Sequence, residues 1–173
     1  MLEALIFVVF PFCMVFAMVS DLLSMTIANR VSAILVVSFV IVSPFAGMDL
    51  FTISGHFAAA IVVLCVTFAL FAAGVMGGGD AKLLASTALW MGPSVVLMEY
   101  LTYGAIFGGT ITLAILMYRG SVVAAYSGHN IFLRNLADEK AGIPYGIALG
   151  AAGLYVYPST SLVQTVLDRV VTG

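Results

Sequence analysis

Charge is what this sequence has least of. Among 173 residues there are six Lys or Arg and eight Asp or Glu, 8% in all, while 63% are hydrophobic. A water-soluble domain carries roughly 25% charged residues. So small a polar inventory cannot cover a surface facing water, which excludes a soluble globular fold and leaves an integral membrane protein. The net charge of −2 gives no basic patch for a nucleic-acid partner. Cysteine is nearly missing: Cys13 and Cys65 lie far apart in apolar runs with no CxxC, so they read as small buried hydrophobes and indicate neither a disulfide nor a metal site. Histidine is as scarce. His56 and His129 fall on opposite sides of the topology argued below, which leaves no His-based metal centre or triad.

Apolar runs are plentiful. Spans are expected near Ala4–Ser20, Val31–Phe45, Phe57–Met76, Lys82–Met91, Val95–Tyr118 and Pro144–Tyr157, an all-α, six-helix transmembrane bundle forming one domain over residues 1–173. Breaks fall at Pro44-Phe45-Ala46-Gly47, Gly77-Gly78-Gly79 and Gly92-Pro93. The first run is read as a span and not a cleavable signal, because Met1-Leu2-Glu3 is acidic where a basic region is needed. Gly104-x-x-x-Gly108 and Gly146-x-x-x-Gly150 are small-residue pairs suited to close helix packing. After Pro158, Leu162, Val163, Val166, Leu167 and Val170 repeat with helical spacing opposite Gln164, Thr165, Asp168 and Arg169, so an amphipathic helix is expected over about 159–173, lying on the outer face of the bilayer.

The fourth run is short for a crossing. Charge bias decides in its favour: with six spans Arg30, Lys82, Arg119, Arg134 and Lys140 share one side and only Arg169 faces the other. Basic residues mark the cytoplasmic face. That face then also holds two isolated acids, Asp21 closing the first span and Asp80 opening the fourth. Glu99 and His56 fall at the other side, and the loop after Arg119 carries Asp138-Glu139 and an apolar set, Ile131, Phe132, Leu133 and Leu136, with the spacing of an interfacial helix.

An acid next to a membrane is costly and marks a functional candidate. Asp80 follows Gly77-Gly78-Gly79 directly, glycines that permit a turn with positive φ and close approach of another chain. A plain glycine turn with Asp80 capping the next helix fits the same residues, and Asp21 alone fits an interfacial acid. Two such acids on one side suggest a pair. Carboxylates at close range cannot both ionise, so they would share a proton, the working unit of water activation in aspartic proteases. Lys82 points away from Asp80 on a helix and can snorkel to lipid phosphates or touch substrate. A small proton-coupled carrier and a non-catalytic assembly factor are the competing classes. Carriers favour acids at mid-bilayer and inverted repeats, and no repeat stands out here.

Gly77-Gly78-Gly79-Asp80-Ala81-Lys82-Leu83-Leu84-Ala85, running on through Trp90-Met91-Gly92-Pro93, resembles the type IV prepilin peptidases, membrane aspartic peptidases of the GxGD class. Asp21 to Asn29 resembles that family's D-x5-I-P-N stretch, with Ala28 where proline is usual, and Gly142-Ile143-Pro144-Tyr145-Gly146 is similar to the motif opening its last helix. The likeness extends over nearly the whole chain. It implies Asp21 and Asp80 as catalytic residues, with Gly77, Gly78, Gly79, Asn29, Lys82, Pro144, Tyr145 and Gly146 shaping the site and no metal or cofactor. Asp21 comes one span after the start, without a preceding CxxC domain, so the chain is similar to the short form serving tight-adherence (Flp) pili, and methylation of the product is not expected. The partners implied are a prepilin with a short basic leader, the pilus assembly machinery and the lipid of the inner membrane, with cleavage at the cytoplasmic face.

Overall fold

A computed structural model describes residues 2–121, 134–138 and 142–172, and those residues fold as an all-helical protein. Helices α1 (Leu2–Ser24), α2 (Asn29–Phe45), α3 (Leu50–Ala72), α4 (Gly78–Met91) and α5 (Val95–Arg119) follow one another. A short α6 (Arg134–Ala137), α7 (Tyr145–Val156), a 3-10 turn (Tyr157–Ser159) and α8 (Ser161–Thr172) complete the chain. By length and composition α1, α3 and α5 can each cross a membrane, and α7 with α8 makes a fourth candidate bent by 43°. The chain is an integral membrane protein. His129, Ile131, Phe132, Leu133, Glu139 and Lys140 lie outside the described residues, so the expected interfacial helix is seen only in its α6 end.

Helix α4 sits at the centre, packed on α2, α3 and α7. Ala81 and every residue from Leu83 to Met91 is buried, and Lys82 alone of this run is exposed. That burial encloses α4 in protein instead of setting it on a lipid face. This accounts for its shortness: fourteen residues reach about 21 Å, less than a bilayer core of about 30 Å, but its ends are surrounded by other helices. The aromatic residues Phe10, Phe39, Trp90 and Tyr157 fill the half of the core away from Asp80. Phe10 stacks on Tyr157 with ring centroids 4.0 Å apart, the Trp90 indole N–H donates to the Leu35 carbonyl at 3.0 Å, and the Tyr157 hydroxyl donates to the Ile6 carbonyl at 2.8 Å.

Several boundaries differ from the sequence expectation. Helix α3 begins at Leu50, well before Phe57, because Asp49 caps it by accepting from the Thr52 N–H at 3.1 Å. Hydrogen bonds from Thr52 hold the Asp49 carboxyl below the usual carboxylate range. Its end falls at Ala72, before Met76, in a turn where Gly74 takes φ +73°. Cys13 is buried, but Cys65 is exposed on the outward face of α3. In α8, Leu162, Val163 and Val166 are buried in the protein core while Leu167 is exposed, so part of its apolar face is turned to protein where the sequence suggested lipid. Arg169 at its end donates to the carbonyls of Phe45 and Ala46, closing the α2 end of the bundle.

His56 is a structural fastener. Its buried Nδ1 donates to the Leu89 carbonyl at 2.7 Å, and its ring stacks on Phe39 at 5.2 Å. Gly92, which ends α4, lies against this imidazole with φ +66° and ψ −174°, a region open only to glycine. A Cβ there would meet His56 Nε2 at 2.5 Å. Gly92→Ala should therefore lower stability by at least about 2 kcal/mol, from backbone strain and ring overlap together. Thermal unfolding of the purified protein in detergent measures it, and an unchanged midpoint would contradict the packing.

Candidate active site

Two helix ends and two loops build one polar cavity. The last turn of α1 supplies Asp21, and the first turn of α4 supplies Asp80. Both carboxylates line a cavity of about 740 Å³, together with Met25, Gly74 to Gly77, Arg119, Gly142, Ile143 and Tyr145. The acids are close enough for the charge of Asp21 to act on Asp80. Among the described residues no three His, Cys, Asp or Glu side chains gather to hold a metal ion.

Each carboxylate rests against a glycine. Asp21 is buried and accepts from the Gly146 N–H at 2.7 Å, across 125 residues of chain. Gly146 is there because nothing larger fits: a Cβ would meet Asp21 Oδ2 and Ile27 Cδ1, each at 2.8 Å. The Asp80 carboxylate folds back onto Gly77, where a Cβ would meet its Oδ2 at 2.8 Å. Gly77 is the N-cap of α4, with Asp80 at the third helical position. This corrects two sequence readings. Asp80 is not itself the capping residue, and the triple glycine is not a positive-φ turn, since Gly77 has φ −69° while Gly78 and Gly79 are helical. The glycines serve close approach. A Cβ on Gly79 would meet Ile27 Cβ at 3.2 Å and its backbone N at 3.4 Å, and one on Gly78 would meet the Phe71 ring at 3.2 Å.

The stretch after Asp21 is held by hydroxyls. Ser20 donates to the Thr26 carbonyl at 2.8 Å, and Ser24 donates to the Ser20 carbonyl at 2.7 Å. Met25 ends α1 with φ 51°, a conformation usually given to Gly or Asn, and it sits on the cavity wall. Ala28, standing where proline resembles the family pattern, has φ −63° and ψ 133° and caps α2. Those are values that proline itself adopts, so the loop keeps its course without the ring.

The remaining expected residues divide. Tyr145 lines the cavity, its ring lying over Gly108 of α5, where a Cβ would meet ring carbon Cε1 at 2.9 Å. Pro144 is the buried residue before α7, one position outside the expected first turn. Asn29 and Lys82 pair with each other, the Lys82 ammonium donating to Asn29 Oδ1 at 2.9 Å, and neither lines the cavity. This tie joins α2 to α4, where the sequence suggested a lipid or substrate contact. Arg119 was missed as a site residue. It lines the cavity and donates to the Leu136 and Gly142 carbonyls, each at 2.9 Å, fastening α6 and the approach to α7 onto α5. In the sequence it entered only the count of basic residues. Glu99 is exposed near the start of α5, far along that helix from Arg119.

A family model described as the type IV leader peptidase family matches residues 8–128. The chain belongs to the type IV leader peptidase family. Its activity class is accordingly that of a membrane-embedded peptidase. No curated protein and no solved structure matches the chain. The matched stretch of this leader peptidase holds Asp21 and Gly77 to Asp80 but ends before Gly146, so the backbone donor that anchors Asp21 comes from beyond it.

Two substitutions follow from this packing. Gly79→Val should be far more damaging than Gly104→Val, because Gly79 faces the Ile27 backbone whereas Gly104 meets only a Leu149 methyl at 3.4 Å that can move. Leader cleavage by membrane-inserted protein is the measurement, and equal mild losses would contradict it. Ala28→Pro should raise stability by about 0.4–1 kcal/mol, since the native φ already suits proline. A lowered thermal midpoint would show that the loop cannot take the ring.

Proposed function

We propose that this leader peptidase is an aspartic endopeptidase in which Asp21 and Asp80 activate water between them. What supports the reading above all is that two carboxylates from distant helices line one cavity. One carboxylate takes a proton from water as the oxygen attacks the scissile carbonyl, and the other, protonated, donates to the carbonyl oxygen. Collapse of the tetrahedral intermediate then returns a proton to the leaving amine. The Gly146 N–H orients Asp21 through one oxygen and leaves the other for the chemistry. No covalent intermediate is required.

The substrate proposed is a prepilin of the Flp or type IVb kind, cut after its short basic leader. Asp21, Asp80, Lys82 and Arg119 gather at one end of the bundle while Arg169 is tied to the other, by Phe45 and Ala46. The bias of basic residues supports a cytoplasmic orientation of the cavity in the inner membrane. Methyl transfer to the product is not part of the reading.

Asp21→Asn and Asp80→Asn should each abolish leader cleavage while leaving membrane insertion and abundance nearly normal, because size is kept and the chemistry needs two carboxylates. Asn in place of Asp21 still presents an oxygen to the Gly146 N–H, which guards the fold. Accumulation of unprocessed pilin in cells is the readout. Full processing by either variant would sink the assignment and return the carrier or assembly-factor readings.

A further inference from the structure

We propose that the apolar helix of the substrate lies in the gap between α3 and α5, with its leader end running into the cavity of Asp21 and Asp80. This rests on the peptidase reading above and adds where the substrate enters. Helix α3 packs on α4, and α5 packs on α7, but α3 and α5 make no extended contact with each other. At the end of the bundle far from the acids, the gap is an apolar groove of about 690 Å³ with Ala58, Val62 and Val66 of α3 on one wall and Leu97, Met98 and Leu101 of α5 on the other.

The same two helices bound the cavity. The chain leaving α3 contributes Gly74 to Gly77, and α5 contributes Arg119. Leu101 and Arg119 are eighteen residues apart, five turns, so they lie on one face of α5. On that face Gly108 and Thr112 lie against Tyr145, so the furrow that joins groove to cavity passes beside this ring. Along α5 that furrow runs about 27 Å, close to the height of a bilayer core, which suits a membrane-spanning helix rather than a single acyl chain. Between its ends α5 offers Ala105 and Gly109, both exposed, and a Cβ on Gly109 would meet nothing within 4 Å. Small residues there let a partner helix approach. At the groove's inner limit, Thr67 lies 3.5 Å from the carbonyl of Ala81, the residue after Asp80.

A second apolar groove of about 470 Å³ lies between α2 and α3, but it leads elsewhere. Its floor is Lys82, Ala85, Ser86 and Leu89, which repeat at one face of α4. Asp80, two residues before Lys82, points to another side of that helix. A substrate seated there would have α4 between itself and the carboxylates.

The test places a photo-crosslinking residue at Met98, Val66 or Val37 in the full-length Asp80→Asn protein, co-expressed with an epitope-tagged prepilin. Val37 lines only the α2–α3 groove. Capture of the prepilin from Met98 and Val66 and not from Val37 is expected. Capture from Val37 alone, from all three alike, or from none overturns the proposal. In parallel, Ala58→Phe, which fills the groove from an exposed position, should lower kcat/KM for the prepilin about tenfold, the scale of a modest steric clash. A leader peptide lacking the apolar helix should be cut by that variant at the wild-type rate. Equal loss on both substrates counts against the groove. Prepilin cleavage by the wild-type protein keeps the two ideas separable: if it occurs while crosslinking fails, only the entry route is wrong, and if it never occurs the peptidase reading falls and the route with it.

Discussion

Fourteen residues of helix cannot cross a hydrocarbon layer unaided, and the architecture is arranged around that shortfall in α4. The helix is enclosed by α2, α3 and α7, so no part of its backbone end has to meet lipid. Enclosure in turn permits the first turn of α4 to carry an acid. Asp80 opens a helix whose own N–H groups can satisfy a carboxylate, and the surrounding chain leaves a cavity at that end that holds both acids. The tie from Trp90 to α2, the clamp of His56 on α3 and the Lys82–Asn29 bond all fix this one element.

The two acids are held by different means, which bears on how the site could work. Asp80 is placed by its own helix, at the third position of α4 and against the N-cap Gly77, a local arrangement that forms whenever the helix does. Asp21 is anchored by Gly146 of α7, a bond that exists only when the bundle is assembled. Their separation is therefore a property of how α1, α4 and α7 pack. Arg119 reinforces that packing by pinning α6 and the chain before α7 to α5. A left-handed Met25 beside Asp21 marks a place where the fold tolerates backbone strain, as cavity walls often do.

Glycine has three separate duties here. Gly74 and Gly92 adopt positive φ at helix ends. Gly79 and Gly146 are small because other atoms occupy the space, the Ile27 backbone in one case and the Asp21 carboxylate in the other. Gly108 gives room to the ring of Tyr145. A pattern such as small-x-x-x-small is thus not only a packing device: Gly146 belongs both to a helix contact and to the site.

Composition alone settled the solvent. So few charges can only belong to a chain in lipid, and apolar runs between glycine and proline breaks located the main helices, because hydrophobic length is a local property. The spacing of Asp21 and Asp80 relative to those runs made a shared site legible, since both acids close or open helices at the same end. What remained hidden depended on contacts between distant segments. Only the packing of α7 on α1 made Gly146 a donor to Asp21, and only the course of α5 brought Arg119 to the cavity. Gly77 to Gly79 looked like a turn because three glycines permit one, but the Ile27 and Phe71 side chains pressed against them make smallness, not flexibility, the requirement. Likewise the apolar stripe of α8 read as a lipid face, and the core takes Leu162, Val163 and Val166 of it: amphipathicity states that a face will be covered, and tertiary structure decides by what.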